Sequence, residues 1–266
     1  VMQMIGEAKV HADGSAFFKI PADTPVAFQL IDEEGQAVQL MRTWTTAMPG
    51  ERMSCVGCHE ESDTAPLAIP TMALRDVPQD LYEWFGPARG FDFAREIQPV
   101  LNKNCVSCHD GGNDAIDLRP KDQVPGYVGT APSWFDYTRL NQKYKDLFDG
   151  KPMVPYTPAY EALVPYIRRV GAGDDVSLLV PGEYKANTSP LIQILKKGHH
   201  GLELSAEDLE RFYAWIDLNG PSHGTWKEVY GVTPADGMYE LRRKYKDLYG
   251  SKQVNLDTPE KLAYDE

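Results

Sequence analysis

All four cysteines of this chain fall in two five-residue blocks, Cys55-Val-Gly-Cys58-His59 and Cys105-Val-Ser-Cys108-His109. Two thiols two residues apart, followed at once by an imidazole, are what covalent haem attachment requires. The thiols lie on one turn of chain, spaced to reach two vinyl groups, and the imidazole falls beneath the iron. A zinc ribbon would separate its two Cys-x-x-Cys knuckles by about 15–20 residues. The separation here is far longer, and zinc leaves the histidine after each pair unexplained. A thioredoxin-like disulfide would want a βαβ setting, which neither flank provides. The blocks therefore read as sites for two covalently bound haem c groups, with His59 and His109 as iron ligands. Because thioether attachment takes place outside the cytoplasm, the expected location is periplasmic or otherwise extracytoplasmic.

Function turns on what stands opposite each histidine. A protein ligand there makes an electron relay, whereas an open face makes a place where a small molecule binds and reacts. Six histidines are present, so His11, His199, His200 and His223 remain. The stretch Lys196-Lys197-Gly198-His199-His200-Gly201 lies between two expected helices, and its glycines let the backbone approach a flat macrocycle. His199 and His200 are the candidates for the second iron, one as ligand and the other as a propionate donor. The competing reading is a solvated pair on a polar loop. His223 reads as structural and His11 as an exposed turn residue. Met41, Met48, Met53, Met72 and Met153 are chemically able to ligate iron, but nothing in the sequence separates them from core methionines. Around the first block stand Glu60, Glu61 and Asp63. A solvated charge run is the bland reading. The sharper one is that one of them, with Arg42 or Arg52, lines an open distal face and handles protons for a bound small molecule, the candidates being Glu60, Asp63 and Arg42.

These blocks need elements to hold them. From Val1 to about Met48, apolar runs at Ala16–Ile20, Val26–Ile31 and Val38–Met41 alternate with the turn signals Asp13-Gly14, Pro21-Ala22-Asp23 and Glu34-Gly35, as in a small antiparallel β unit. Its uncapped apolar opening raises the expectation that a longer parent chain or a partner subunit supplies neighbours. Residues 60–90 read as a loop around the first haem, with a short helix near Leu81–Phe85. Phe93, Ile97, Val100 and Leu101 share a helical face leading into Cys105, and Pro99 kinks or limits that helix. Short helices are expected over Pro158–Val170 and Pro190–Lys197. The clearest helix is Ser205–Leu218, with Ser205 and Asp208 as a capping box, Leu204 and Leu209 as a staple, and Asn219-Gly220-Pro221 as the stop. Met238–Leu248 reads as an amphipathic tail helix.

Composition sets outer limits. With 39 acidic against 27 basic residues and a formal charge of −12, the chain opposes nucleic acid and anionic membranes as partners. No run of eighteen apolar residues is present, so membrane insertion is not expected. The opening residues lack signal-peptide features, and the chain is expected to be mature or excised.

Several stretches, in order DGSAFFKIPADTPVAFQLID, VQLMRTW, PGERMSCVGCHE, FAREIQPVLNKNCVSCHDG, SPLIQILKKGHHG and LERFYAWIDLNGPSHGTW, resemble the part of the hydrazine synthase alpha family that follows its β-propeller, and related multidomain cytochromes. The resemblance implies a β-rich middle domain carrying the first haem and a helical C-terminal domain whose haem has two histidine ligands, here His109 and, by preference, His199. In the family the first iron is held by a tyrosine four residues after the motif histidine, which itself binds zinc. That position here is Asp63, and no tyrosine follows until Tyr82. His59 is then expected to act as an ordinary iron ligand, and hydrazine synthesis itself is not carried over.

The expected fold class is α+β, with a small N-terminal antiparallel β unit carrying haem I (residues 1–90) and a mainly α-helical, loop-rich cytochrome c-like domain carrying haem II (residues 91–266). The leading functional reading is a di-haem electron-transfer module. The alternative is a hydrazine synthase-like redox enzyme in which an open-faced haem I transforms a small nitrogen or oxygen species. Partners are a redox protein or other subunits or domains of a larger assembly, with a small-molecule ligand at haem I.

Overall fold

The core gathers around one helix near the C-terminal side of the sequence. A computed structural model describes residues 2–41, 43–56, 69–112, 115–121, 156–170, 174, 180–225, 228, 240–241, 244–245 and 248. In chain order its strands are β1 Gln3–Met4, β2 Gln29–Ile31, β3 Ala37–Leu40 and β4 Arg89–Gly90. Its α-helices are α1 Phe93–Glu96, α2 Gln98–Asn104, α3 Pro158–Leu163, α4 Pro190–Lys196 and α5 Ala206–Asp217. No helix among the described residues is long and apolar enough to cross a membrane.

Helix α5 begins where the Ser205 side chain accepts from the Asp208 N–H, satisfying one of the amide groups that a helix start leaves orphaned. It ends at Asn219 and Gly220, both at positive φ, with the Gly220 N–H returned to the Trp215 carbonyl. Its apolar stripe is broader than the periodicity predicts: every residue from Phe212 to Asp217 is buried. The cause is that α5 is surrounded. Phe93 of α1 lies 5.2 Å from the Trp215 ring and 5.3 Å from the Tyr160 ring of α3. Ile97, Leu101, Leu163 and Ile192 close the remaining sides. Each such side chain contributes about 1.5–3 kcal/mol on burial, so this cluster outweighs the short β pieces as a source of stability.

The helix expected from Phe93 to Leu101 is present in two pieces. Asp92 caps α1 by accepting from the Arg95 N–H. Pro99, which lacks an N–H, sits in the first turn of α2, where no intrahelical donor is needed. Helix α3 stops at Leu163 and continues as a 3-10 turn over Val164–Tyr166. In the tail, Glu240, Leu241, Lys244, Tyr245 and Leu248 are helical and exposed.

The N-terminal β reading needs correction in three places. β2 and β3 do pair antiparallel, around a turn in which Asp32 accepts from the Glu34 and Gln36 N–H groups. Ala16–Ile20, however, is not a strand, and Phe18 makes a single bridge to Gln79. Leu81–Phe85 is not a helix, because Tyr82 is exchanged in a backbone pair with Glu7. β4, expected in a haem loop, pairs antiparallel with β1 through Gln3 and Met4. These pairings join residues far apart in sequence, which local periodicity does not register. His11 is also half-buried rather than exposed, with Nε2 3.7 Å from an Asp76 oxygen.

Two buried carboxylates tie these parts together. Glu96 of α1 is 2% exposed and accepts from Arg89 of β4, from Arg95 and from Arg211 of α5. Asp217, at the end of α5, accepts from the Ala37 N–H of β3 at 2.8 Å and from the Ala186 N–H at 2.7 Å. Burial pushes the Asp217 carboxyl up to about 6, against the pull of those two bonds and of Lys185. Asp217→Ala leaves two buried N–H groups without acceptors and is expected to cost roughly 2–5 kcal/mol in urea unfolding at pH 7. Because the folded value is raised, this group's contribution is full below pH about 4 and is lost as pH rises through about 6. The stability difference between wild type and Asp217→Asn should therefore move in favour of the wild type as pH falls from 7 to 4. A flat difference would contradict a desolvated carboxylate.

Candidate functional site

The second cysteine block is the C-terminal end of α2. Cys105 caps that helix through its N–H to the Leu101 carbonyl, and the Cys108 and His109 N–H groups both return to the Cys105 carbonyl. The block is thus one tight turn that places both sulfurs and the imidazole on the same short loop. Val100 and Leu101, buried in the core, set its position. Cys105 is half-buried and Cys108 exposed. Burial, then Asp208 and Cys108, push the Cys105 thiol up to about 11. A thiol held neutral is a poor exchange nucleophile, which argues against a redox disulfide.

The His109 ring is oriented from behind. Its Nδ1 lies 3.0 Å from the Ile116 carbonyl oxygen. A carbonyl only accepts, so Nδ1 carries the proton and donates, and Nε2 keeps the lone pair that binds metal. Sequence reasoning missed Ile116, because a backbone carbonyl leaves no residue-type signal.

His199 comes to meet it. Ile192 anchors α4 in the core, and the chain then turns through Gly198 and Gly201 at φ +86° and +76°, with His200 between them at +51°. Lys196 ties the helix end to Glu34 at 2.7 Å. The rings of His109 and His199 stand 5.9 Å apart with planes 23° from parallel. A metal bound at an imidazole nitrogen at about 2.0–2.1 Å lies roughly 3 Å from the ring centre, so two rings on opposite faces of one metal stand about 6 Å apart. The 5.9 Å between ring centres matches that spacing, and two imidazoles beside Cys105 and Cys108 are the donor types that a covalently attached haem takes. His200 is exposed and turned edge-on to His199 at 4.7 Å. Burial, followed by His200 and His109, holds His199 below the usual imidazole range, which favours the neutral ring a metal needs.

Of the first block, Cys55 is exposed, while Cys58, His59, Glu60, Asp63 and Arg42 lie outside the described residues.

A family model described as the hydrazine synthase alpha subunit middle domain matches residues 1–60. The hydrazine synthase subunit alpha of Kuenenia stuttgartiensis is 26% identical over 288 aligned positions, covering 86% of this chain and 33% of that protein. The chain is similar to hydrazine synthase alpha. It spans about a third of the length of that relative. No solved structure matches it. The likeness to hydrazine synthase alpha favours the redox-enzyme alternative over an isolated electron-transfer module.

Asp208 links the site to the core. Its carboxylate accepts from Lys103 at 2.8 Å and from Asn104 at 3.3 Å, both in the last turn of α2. Burial raises its pKa, but the bonds from Lys103, Ser205 and Asn104 outweigh this and hold it below the ordinary value. Asp208→Asn is expected to cost about 1–2 kcal/mol at pH 7. Since the folded value is depressed, the deficit should shrink as pH falls through the acidic range. Thermal unfolding of both proteins at pH 7 and pH 4 reads this directly.

Proposed function

We propose that this chain is the haem-bearing redox portion of a hydrazine synthase-like protein, with two covalently bound haem c groups. The observation that carries the reading is the pair His109 and His199, whose ring centres stand 5.9 Å apart with Cys105 and Cys108 on the same turn as His109. A haem held there would supply one-electron chemistry at a potential set by its ligands and burial. The protein's part is positioning. Ile116 fixes the His109 tautomer and ring plane, α2 and Asp208 hold the cysteine turn, and the Gly198–Gly201 loop presents His199 in its neutral form. With His109 and His199 both as ligands, a haem there would have no open face, which would suit electron relay.

The first block supplies the complementary site. Cys55 and Cys58 would attach the group and His59 would ligate its iron, in place of the tyrosine that Asp63 replaces. Glu60, Asp63 and Arg42 would then handle protons for a small nitrogen or oxygen species on the open face. The relative is named as a subunit, which supports work within a larger assembly, and the cysteine chemistry supports an extracytoplasmic setting.

Ferric EPR and optical spectra of the two-haem protein test both halves. His199→Ala should convert one haem from low-spin to high-spin and open it to cyanide, while His200→Ala leaves it low-spin. An unaltered spectrum in His199→Ala removes that residue from the ligand set. In the wild type, one high-spin haem that binds nitric oxide or hydroxylamine supports a reactive first site. Two inert low-spin haems would reduce the protein to a relay.

A further inference from the structure

On a part of the fold unrelated to the cysteine blocks, the segment entering α1 crosses the segment leaving α5. The Phe93 N–H donates to the Ser222 carbonyl at 3.1 Å. At the crossing, Gly90 and Gly224 approach so closely that a Cβ on Gly90 would collide with the Gly224 carbonyl. Three side chains converge beside it. Asp92, His223 and Glu228 each offer a ligand atom, and these atoms lie within 4.8 Å of one another.

Each is held there by bonds that serve other purposes. Asp92 Oδ1 accepts from the Arg95 N–H. Glu228 Oε2 accepts from the Gly224 and Thr225 N–H groups, both at 2.8 Å. His223 is 5% exposed, with its ring stacked 6.0 Å from Tyr156. Arg95, the neighbouring cation, is engaged by Glu96 and by the Gly90 carbonyl. Two carboxylates brought together beside a buried imidazole repel one another unless a cation stands between them.

We propose that Asp92, His223 and Glu228 bind a divalent transition-metal cation, zinc foremost, which fastens residues 90–93 to residues 222–228. One imidazole and two carboxylates suit zinc better than calcium or magnesium, which prefer all-oxygen sets. Closing onto bonds of about 2 Å asks the side chains to move by roughly 1 Å.

The test uses the complete two-haem protein, stripped with chelator, titrated with zinc, desalted and assayed for bound zinc by mass spectrometry. Wild type should retain one equivalent more than His223→Asn and one more than Glu228→Gln, with identical haem spectra in all three. At about a hundredfold excess over the dissociation constant, zinc should raise the wild-type unfolding temperature by roughly 5–10 °C, and the variants should lose that shift. Equal zinc content in wild type and Glu228→Gln would overturn the proposal, and because Glu228 is exposed that comparison stands even if His223→Asn misfolds.

Discussion

Asp217 is buried, ionisable and engaged at both oxygens by backbone N–H groups, one 180 residues earlier in sequence and one 31 residues earlier. Its own carbonyl accepts from Gln29 of β2. Such a group is costly to bury and more costly to leave half-satisfied, so the β2–β3 hairpin, the turn at Ala186 and the end of α5 have one arrangement in which all three are content. The hairpin's strands are short, β2 exposed throughout and β3 buried only at Ala37 and half-buried beyond it. Asp217 fixes the hairpin's place against the helices through the Ala37 N–H and the Gln29 side chain.

The same logic sets the paired histidines. His109 belongs to α2 and His199 to the loop after α4, and neither helix touches the other's ring through sequence proximity. Both helices join the buried cluster to which α5 belongs, α2 through Leu101 and α4 through Ile192. The 5.9 Å between the rings is therefore a property of how two helices seat in one core.

The local features were legible in the sequence for local reasons. The Ser205 cap, the Asn219-Gly220 stop and the role of Pro99 each follow from a residue's own backbone preferences. The cysteine blocks are legible because their chemistry needs fixed spacing. The pairing of β1 with β4 and of Glu7 with Tyr82 was not, since strands of two residues carry no alternation to read. His223 reads as a structural residue in its turn, and only the fold places Asp92 and Glu228 beside it. Asp208 reads as half of a capping box, yet its carboxylate crosses to α2.

Glu96 carries a consequence of another kind. One carboxylate accepts from three guanidinium groups supplied by a strand, its own helix and α5. Warming makes the hydration of charged groups less favourable, so the penalty for withdrawing them from water falls, while hydrophobic stabilisation levels off. The balance of forces in this chain consequently shifts with temperature. Near ambient conditions the apolar contacts around α5 dominate, and as the protein is heated the Glu96 network takes a growing share of the cohesion that remains.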